Sequence, residues 1–172
     1  MKKYVMVFVM MLAIGSIFAV PGYSVQAATA TAPITGVVEE KTVNYDEKGN
    51  YEVITVKSVP QFPSSLHSTY STNSTYTKTG IAVLDYFNSK DELCWEYVLT
   101  GYFTVKEGVS AKCTKATGHL EIYKTAWQYK KESRSISGNS VTGNITMKKG
   151  LLVKTRSTTL VCSKYGVMGI QR

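Results

Sequence analysis

After a long apolar stretch at its start, the chain settles into short runs in which apolar and polar residues alternate, a period of two rather than 3.6. Val37 to Tyr45 and Tyr51 to Val56 flank Asp46-Glu47-Lys48-Gly49-Asn50 and predict a β-hairpin. Ile81 to Phe87 predicts a strand and Asn88 to Asp91 a turn. Leu93 to Val105 predicts a second, longer strand that bends near Gly101. In it Leu93, Trp95, Tyr97 and Leu99 share the expected core face, and Cys94, Glu96, Val98 and Thr100 share the other. Lys106-Glu107-Gly108 turns the chain into Ala111 to Thr114. Gly118 to Thr125 then sets Leu120 and Ile122 against His119, Glu121 and Tyr123, and Trp127 and Tyr129 extend the aromatic content. Ser137-Gly138-Asn139 and Lys148-Lys149-Gly150 bracket Val141 to Met147; Leu151 to Cys162 and Val167 to Ile170 follow. About eight to ten strands without helical periodicity predict an all-β fold, an antiparallel two-sheet sandwich, immunoglobulin-like or similar.

Two segments depart from that pattern. Lys2 and Lys3, the apolar and small residues from Val5 to Val20, and the break at Pro21-Gly22 before Val25-Gln26-Ala27 predict a secretory signal peptide. Cleavage is expected after Ala27, with Ala30 and Ala32 as alternatives and a retained membrane anchor as the rival reading. Between Ser58 and Thr79 half of the residues are Ser or Thr, interleaved with Pro60, Pro63, His67, Tyr70 and Tyr76. So few apolar side chains offset little of the entropy of ordering, which predicts a loop or linker. The expected organisation is a signal peptide over 1–27, a lead and hairpin over 28–57, a Ser/Thr-rich segment over 58–79 and a main β-sandwich over 80–172.

At 172 residues the chain suits one modest domain and excludes a large multidomain enzyme. Its formal charge of +8, from 20 Lys and Arg against 12 Asp and Glu, is unevenly placed. From Ser133 onward there are Arg134, Lys148, Lys149, Lys154, Arg156, Lys164 and Arg172 and no acidic residue. Lys154 and Arg156 lie two apart on one strand and so project the same way. With Lys148, Lys149 and Lys164 they form a candidate anion-binding patch. Its expected partners outside a cell are anionic wall polymers, acidic glycans or a membrane surface rather than nucleic acid. The plain alternative is a set of solubilising charges guarding sheet edges.

All three cysteines, Cys94, Cys113 and Cys162, fall in the exported part, where disulfides persist. A Cys113–Cys162 bridge is the favoured pairing, because both sit at strand-like positions before turns while Cys94 shares a face with polar residues. Closing a loop of about 50 residues would contribute roughly 4 kcal/mol. Cys94 is then a free thiol, either inert, or linking two chains as a dimer, or a nucleophile served by His119 or His67. No close Cys or His pair has ligand spacing, so neither a metal nor a cofactor is expected.

Tyr70, Tyr76, Tyr102, Tyr123, Tyr129 and Tyr165 offer either flat platforms for sugar rings or ordinary sheet packing. Asn73-Ser74-Thr75 and Asn144-Ile145-Thr146 match the glycosylation pattern, relevant only in a eukaryote. No specific Ser-His-carboxylate set, carboxylate pair or phosphate loop is evident, so no catalytic residue is assigned.

Lys78-Thr79-Gly80, Trp95 with Leu99-Thr100-Gly101-Tyr102-Phe103-Thr104, Ala111-Lys112-Cys113-Thr114, Ile122-Tyr123 with Trp127, Ser137-Gly138-Asn139, Gly143 and Leu160-Val161-Cys162-Ser163 carry a family resemblance. From Lys78 onward the chain resembles a group of small secreted proteins of Gram-positive, mainly clostridial, bacteria. The resemblance implies a Cys113–Cys162 bridge, makes Cys94 an addition to the usual pattern and supplies no catalytic residues. The expected function is a secreted or surface-associated noncatalytic module that binds an anionic polymer or carbohydrate. A secreted cationic antimicrobial or toxin-like protein and a secreted hydrolase are the alternatives.

Overall fold

The alternation builds nine strands: β1 (Val37–Tyr45), β2 (Tyr51–Val59), β3 (Thr75–Phe87), β4 (Leu93–Lys106), β5 (Ser110–Ile122), β6 (Gln128–Ser137), β7 (Ser140–Lys149), β8 (Leu152–Cys162) and β9 (Met168–Ile170). They belong to a computed structural model that describes residues 36–59 and 74–171. The signal peptide, His67, Tyr70 and Asn73 lie outside those residues. Every described pairing is antiparallel, giving a five-stranded sheet in the order β1-β2-β3-β4-β5 and a four-stranded sheet in the order β6-β7-β8-β9. Each sheet is a meander, so within a sheet consecutive strands are hydrogen-bonded neighbours, and the chain changes sheet between β5 and β6.

Tight turns set the register. Asp46 Oδ1 accepts the backbone N–H groups of Lys48 and Asn50, both at 3.0 Å, and Gly49 takes a φ of +74° that a side chain would resist. Asn88 Oδ1 does the same for Lys90 at 2.9 Å and Glu92 at 3.1 Å.

Two expectations about organisation change. The first hairpin is no separate lead-in: β2 pairs with β3 from Tyr51↔Phe87 to Val59↔Thr79, so β1 is an edge strand of the larger sheet and β2 lies inside it. The Ser/Thr-rich stretch likewise yields its ends to strands, because β2 runs to Val59 and β3 starts at Thr75. Thr is β-branched and serves a pleated strand well once a neighbour supplies hydrogen bonds.

Most of the space between the sheets is apolar. Leu84, Trp95, Tyr97, Leu99 and Phe103 from one sheet meet Val141, Ile145, Met147 and Leu160 from the other, all buried. Tyr97 spans the layers: its hydroxyl donates to Glu132 Oε1 at 2.8 Å, and Arg134 Nε holds the same oxygen at 3.2 Å. Gly143 permits the passage, since a Cβ there would sit 2.7 Å from the Tyr97 hydroxyl.

Candidate functional site

On the β1-β2 flank the interior changes character. Lys154 and Arg156 do project together, as their spacing predicts, but inward. Their strand neighbours of the same parity, Thr158, Leu160 and Cys162, are buried, so the cations face the opposite sheet. Lys154 Nζ meets Asp46 Oδ2 at 2.7 Å and Arg156 Nε meets Glu52 Oε2 at 2.6 Å. Both cations also lie over the Tyr86 ring, at 5.8 and 5.9 Å from its centroid. The Lys154 ammonium holds the Asp46 carboxyl well below the usual range, against the opposing effect of burial, and Asp46 in turn raises Lys154.

The five-residue basic patch is therefore not a single surface. Lys154 and Arg156 are neutralised by acids from the first hairpin. Lys148 and Lys149 end β7, and Lys164, over the Tyr165 ring at 5.2 Å, sits in the β8-β9 turn at the other end of the sheet. Strand periodicity gave the direction of Lys154 and Arg156 relative to each other. It carried no information on the acids that draw them inward.

Beside these ion pairs a cleft of about 800 Å³ opens between the sheets. One wall carries Lys41, Val43, Asn44 and Glu52; the other carries Thr158, Thr159, Ile170 and Gln171. Asn44 Nδ2 donates to Glu52 Oε1 at 3.2 Å. Thr158 is 2% exposed, and its hydroxyl finds no hydrogen-bond partner among the described residues. The cleft exists because the strands beside it are edges: β1 pairs only with β2, and β9 covers β8 only from Leu160 to Cys162. Carboxylates close the remaining edge. Glu39 Oε2 accepts the Met168 N–H at 2.7 Å and Glu40 Oε2 accepts the Ile170 N–H at 2.9 Å. Next to the ion pairs, Tyr86 stacks on Trp95 at 5.1 Å and meets the edge of Trp127 at 5.4 Å. The buried indole N–H groups of both tryptophans have no acceptor among the described residues.

The expected Cys113–Cys162 bridge is not formed: Cys94, Cys113 and Cys162 are all free and buried. Each thiol donates to a nearby main-chain carbonyl at 3.5 Å, that of Glu92, Lys115 and Ser163 respectively, and packs as a small apolar group. Burial pushes the Cys113 thiol up and that of Cys162 up to about 11, which disfavours the thiolate needed for exchange. Cys113 and Cys162 nevertheless bracket one turn, their N–H groups donating to the carbonyls of Gly138 at 2.8 Å and Asn139 at 3.0 Å. Cys94 has no residue opposite it on β3, because the register slips between Tyr86 and Phe87. That slip turns it from the polar face into the core at 2% exposure, where it presents no sulfur to a second chain. His119 stands opposite Val98, several residues along β4 from Cys94, and pairs instead with Glu121 at 3.3 Å.

On the outer face of the larger sheet, Asp85, Glu96 and Glu121 occupy directly opposed positions on β3, β4 and β5. Burial raises Asp85. Burial and then the Asp85 charge push Glu96 up to about 7. Among the described residues the candidate tyrosines form no common platform. Tyr76 is half-buried and donates to the Tyr165 carbonyl at 3.3 Å, Tyr123 donates to Glu121 at 2.7 Å, and Tyr102 lies under Lys115. Asn144 lies mid-strand on β7, opposite Ser133 and Ser157.

No family model matches the chain, and no curated protein matches it. Among solved structures, the crystal structure of hypothetical protein lmo2686 from Listeria monocytogenes EGD-e is similar, with 17% identity, a TM-score of 0.41, and coverage of 77% of this chain and 93% of that one.

Proposed function

We propose that this is a secreted, noncatalytic β-sandwich module that binds neutral carbohydrate in the inter-sheet cleft. The observation that carries the reading is the Thr158 hydroxyl, buried and without a partner beside a cleft walled by hydroxyl, amide and carboxylate groups. Such a hydroxyl is costly unless something pairs with it, and a polyhydroxylated ligand supplies both donors and acceptors. Glu52 and Asn44 are placed to hydrogen-bond sugar hydroxyls, and Val43 and Ile170 offer apolar surface to a ring face. An anionic polymer suits the cleft less well, because Asp46 and Glu52 already neutralise the two interior cations, leaving the exposed Lys41 as the one cation on the cleft's lining among the described residues. The leader and the resemblance to small secreted proteins support export.

The test is calorimetric titration with neutral and anionic oligosaccharides, using the wild type and the Thr158→Val and Asn44→Ala variants. Binding of a neutral saccharide that barely responds to salt and weakens at least tenfold in both variants is the expected result. Binding confined to anionic polymers and abolished by salt, or binding indifferent to both substitutions, would overturn the reading.

A further inference from the structure

The meander places four connections at one end of the molecule: 46–50, 88–92, 123–127 and the β7-β8 turn. The last is unlike the others. Lys149 pairs with Leu152 across only Gly150 and Leu151, with Gly150 at a φ of +59° making the tight reversal. Leu151 is 100% exposed, and Leu152 and Val153 are 43% and 56% exposed. Three consecutive exposed apolar residues at a hairpin tip depart from the alternation of the neighbouring strands, which marks a contact surface. Lys148 and Lys149 precede them and make no ion pair among the described residues. By contrast, the β6-β7 turn at the opposite end, Gly138-Asn139, is polar and tied down by Cys113 and Cys162.

We propose that the β7-β8 tip docks on an anionic lipid bilayer, with Leu151, Leu152 and Val153 entering the acyl boundary and Lys148 and Lys149 meeting the lipid phosphates. Charge favours this occupant over a second copy of the chain. Two copies meeting tip to tip would oppose four lysines, whereas anionic headgroups complement them. Tyr45, Tyr123 and Tyr129, all exposed near the same end, have the amphipathic rings that settle at the headgroup level. The β-hairpin supplies what an interfacial helix supplies elsewhere, an apolar edge below a cationic collar, on a frame whose backbone hydrogen bonds are already made.

The experiment is sedimentation with vesicles of phosphatidylcholine containing phosphatidylglycerol, against phosphatidylcholine alone, using the chain from Ala28. Emission from Leu151→Trp is followed in both that chain and the full chain, whose apolar leader would itself bind vesicles. For the chain from Ala28 the expected results are binding only to the anionic vesicles, a loss on the order of 20-fold in Lys148→Gln/Lys149→Gln and a comparable loss in Leu151→Ser/Leu152→Ser; in both chains a blue shift of the introduced indole with quenching by brominated acyl chains is expected. No binding at low salt would overturn the proposal. So would binding that ignores the leucine substitutions, an indole that stays in water, or concentration-dependent dimerisation through the tip without vesicle binding. The substituted side chains lie outside the core, so each variant keeps the fold that the comparison needs.

Discussion

The two flanks of the inter-sheet space occupy the same layer and obey opposite rules. Around Tyr97, Leu99, Ile145 and Leu160 the sheets meet through apolar side chains and one tyrosine hydroxyl. Around Asp46, Glu52, Lys154 and Arg156 they meet through ion pairs beside an open cleft. The apolar flank holds the sheets together by area removed from water. The charged flank offsets the desolvation of four ionic groups with contacts between them, so its net contribution is small even though removal of one member is costly. Stability is thus concentrated on one side, leaving the other free to carry a polar cleft.

The largest effect should come from the apolar flank. Leu99→Ala, at a fully buried position, is expected to destabilise by about 3 kcal/mol, read from chemical denaturation. On the charged flank Arg156→Ala should cost about 2 kcal/mol, because it strands Glu52 among buried neighbours. The double variant Glu52→Leu/Arg156→Met should recover most of that loss. A double variant as unstable as Arg156→Ala would show that the pair contributes attraction rather than mere compensation, and the contrast between the flanks would fail.

These two flanks also differ in how legible they are from sequence. Alternation alone predicts one face for Leu93, Trp95, Tyr97 and Leu99, and Trp95, Tyr97 and Leu99 are buried. The apolar flank is written in a single strand's periodicity, because each residue's preference for the interior is its own. The charged flank is not. Lys154 and Arg156 turn inward only because Asp46 and Glu52, more than a hundred residues away in sequence, await them, and that pairing is a property of two sheets packed face to face. The same parity that buries Leu160 and Cys162 carried the clue, outweighed by the expectation that lysine and arginine face water. β6 shows the converse failure. Its exposed, polar sequence QYKKESRSIS lacks alternation, and it is a strand because β7 pairs with it. Cys94 departs from the face that alternation predicts for a third cause, a one-residue register slip that no count of alternating positions reveals.

The outer face adds a pH dependence opposite in sign to that of the charged inter-sheet flank. Glu96 is raised by burial and by Asp85, so the folded chain binds a proton more tightly there than the unfolded chain does. Stability from this site is full below the unfolded value of 4.5, declines as pH rises, and is lost once pH passes about 7. Asp46 acts in the other direction. Its carboxyl is lowered, so its contribution is present above the unfolded value of 3.8 and disappears only in strong acid. Glu96→Gln should therefore raise the melting temperature at pH 8 by a few degrees and leave it little changed at pH 4. An equal shift at both pH values would assign the effect to packing instead of proton sharing.

The smallest effect sharpens the comparison most. Thr158 sits where the two flanks meet, on the same face of β8 as Arg156 and Leu160. Val has nearly the same shape and no hydroxyl, so Thr158→Val removes a buried group that has no partner within the chain and should stabilise the free protein by up to about 1 kcal/mol. If the cleft were merely an imperfection of packing, that gain would come without loss. If the hydroxyl is kept for a ligand, the same substitution raises stability and weakens saccharide binding together, a trade between stability and function at one atom. Denaturation and titration of this single variant read the two sides. A stabilised protein with undiminished binding would return the cleft to the status of a packing defect, whereas a destabilised one would show that the hydroxyl is already satisfied in the free protein.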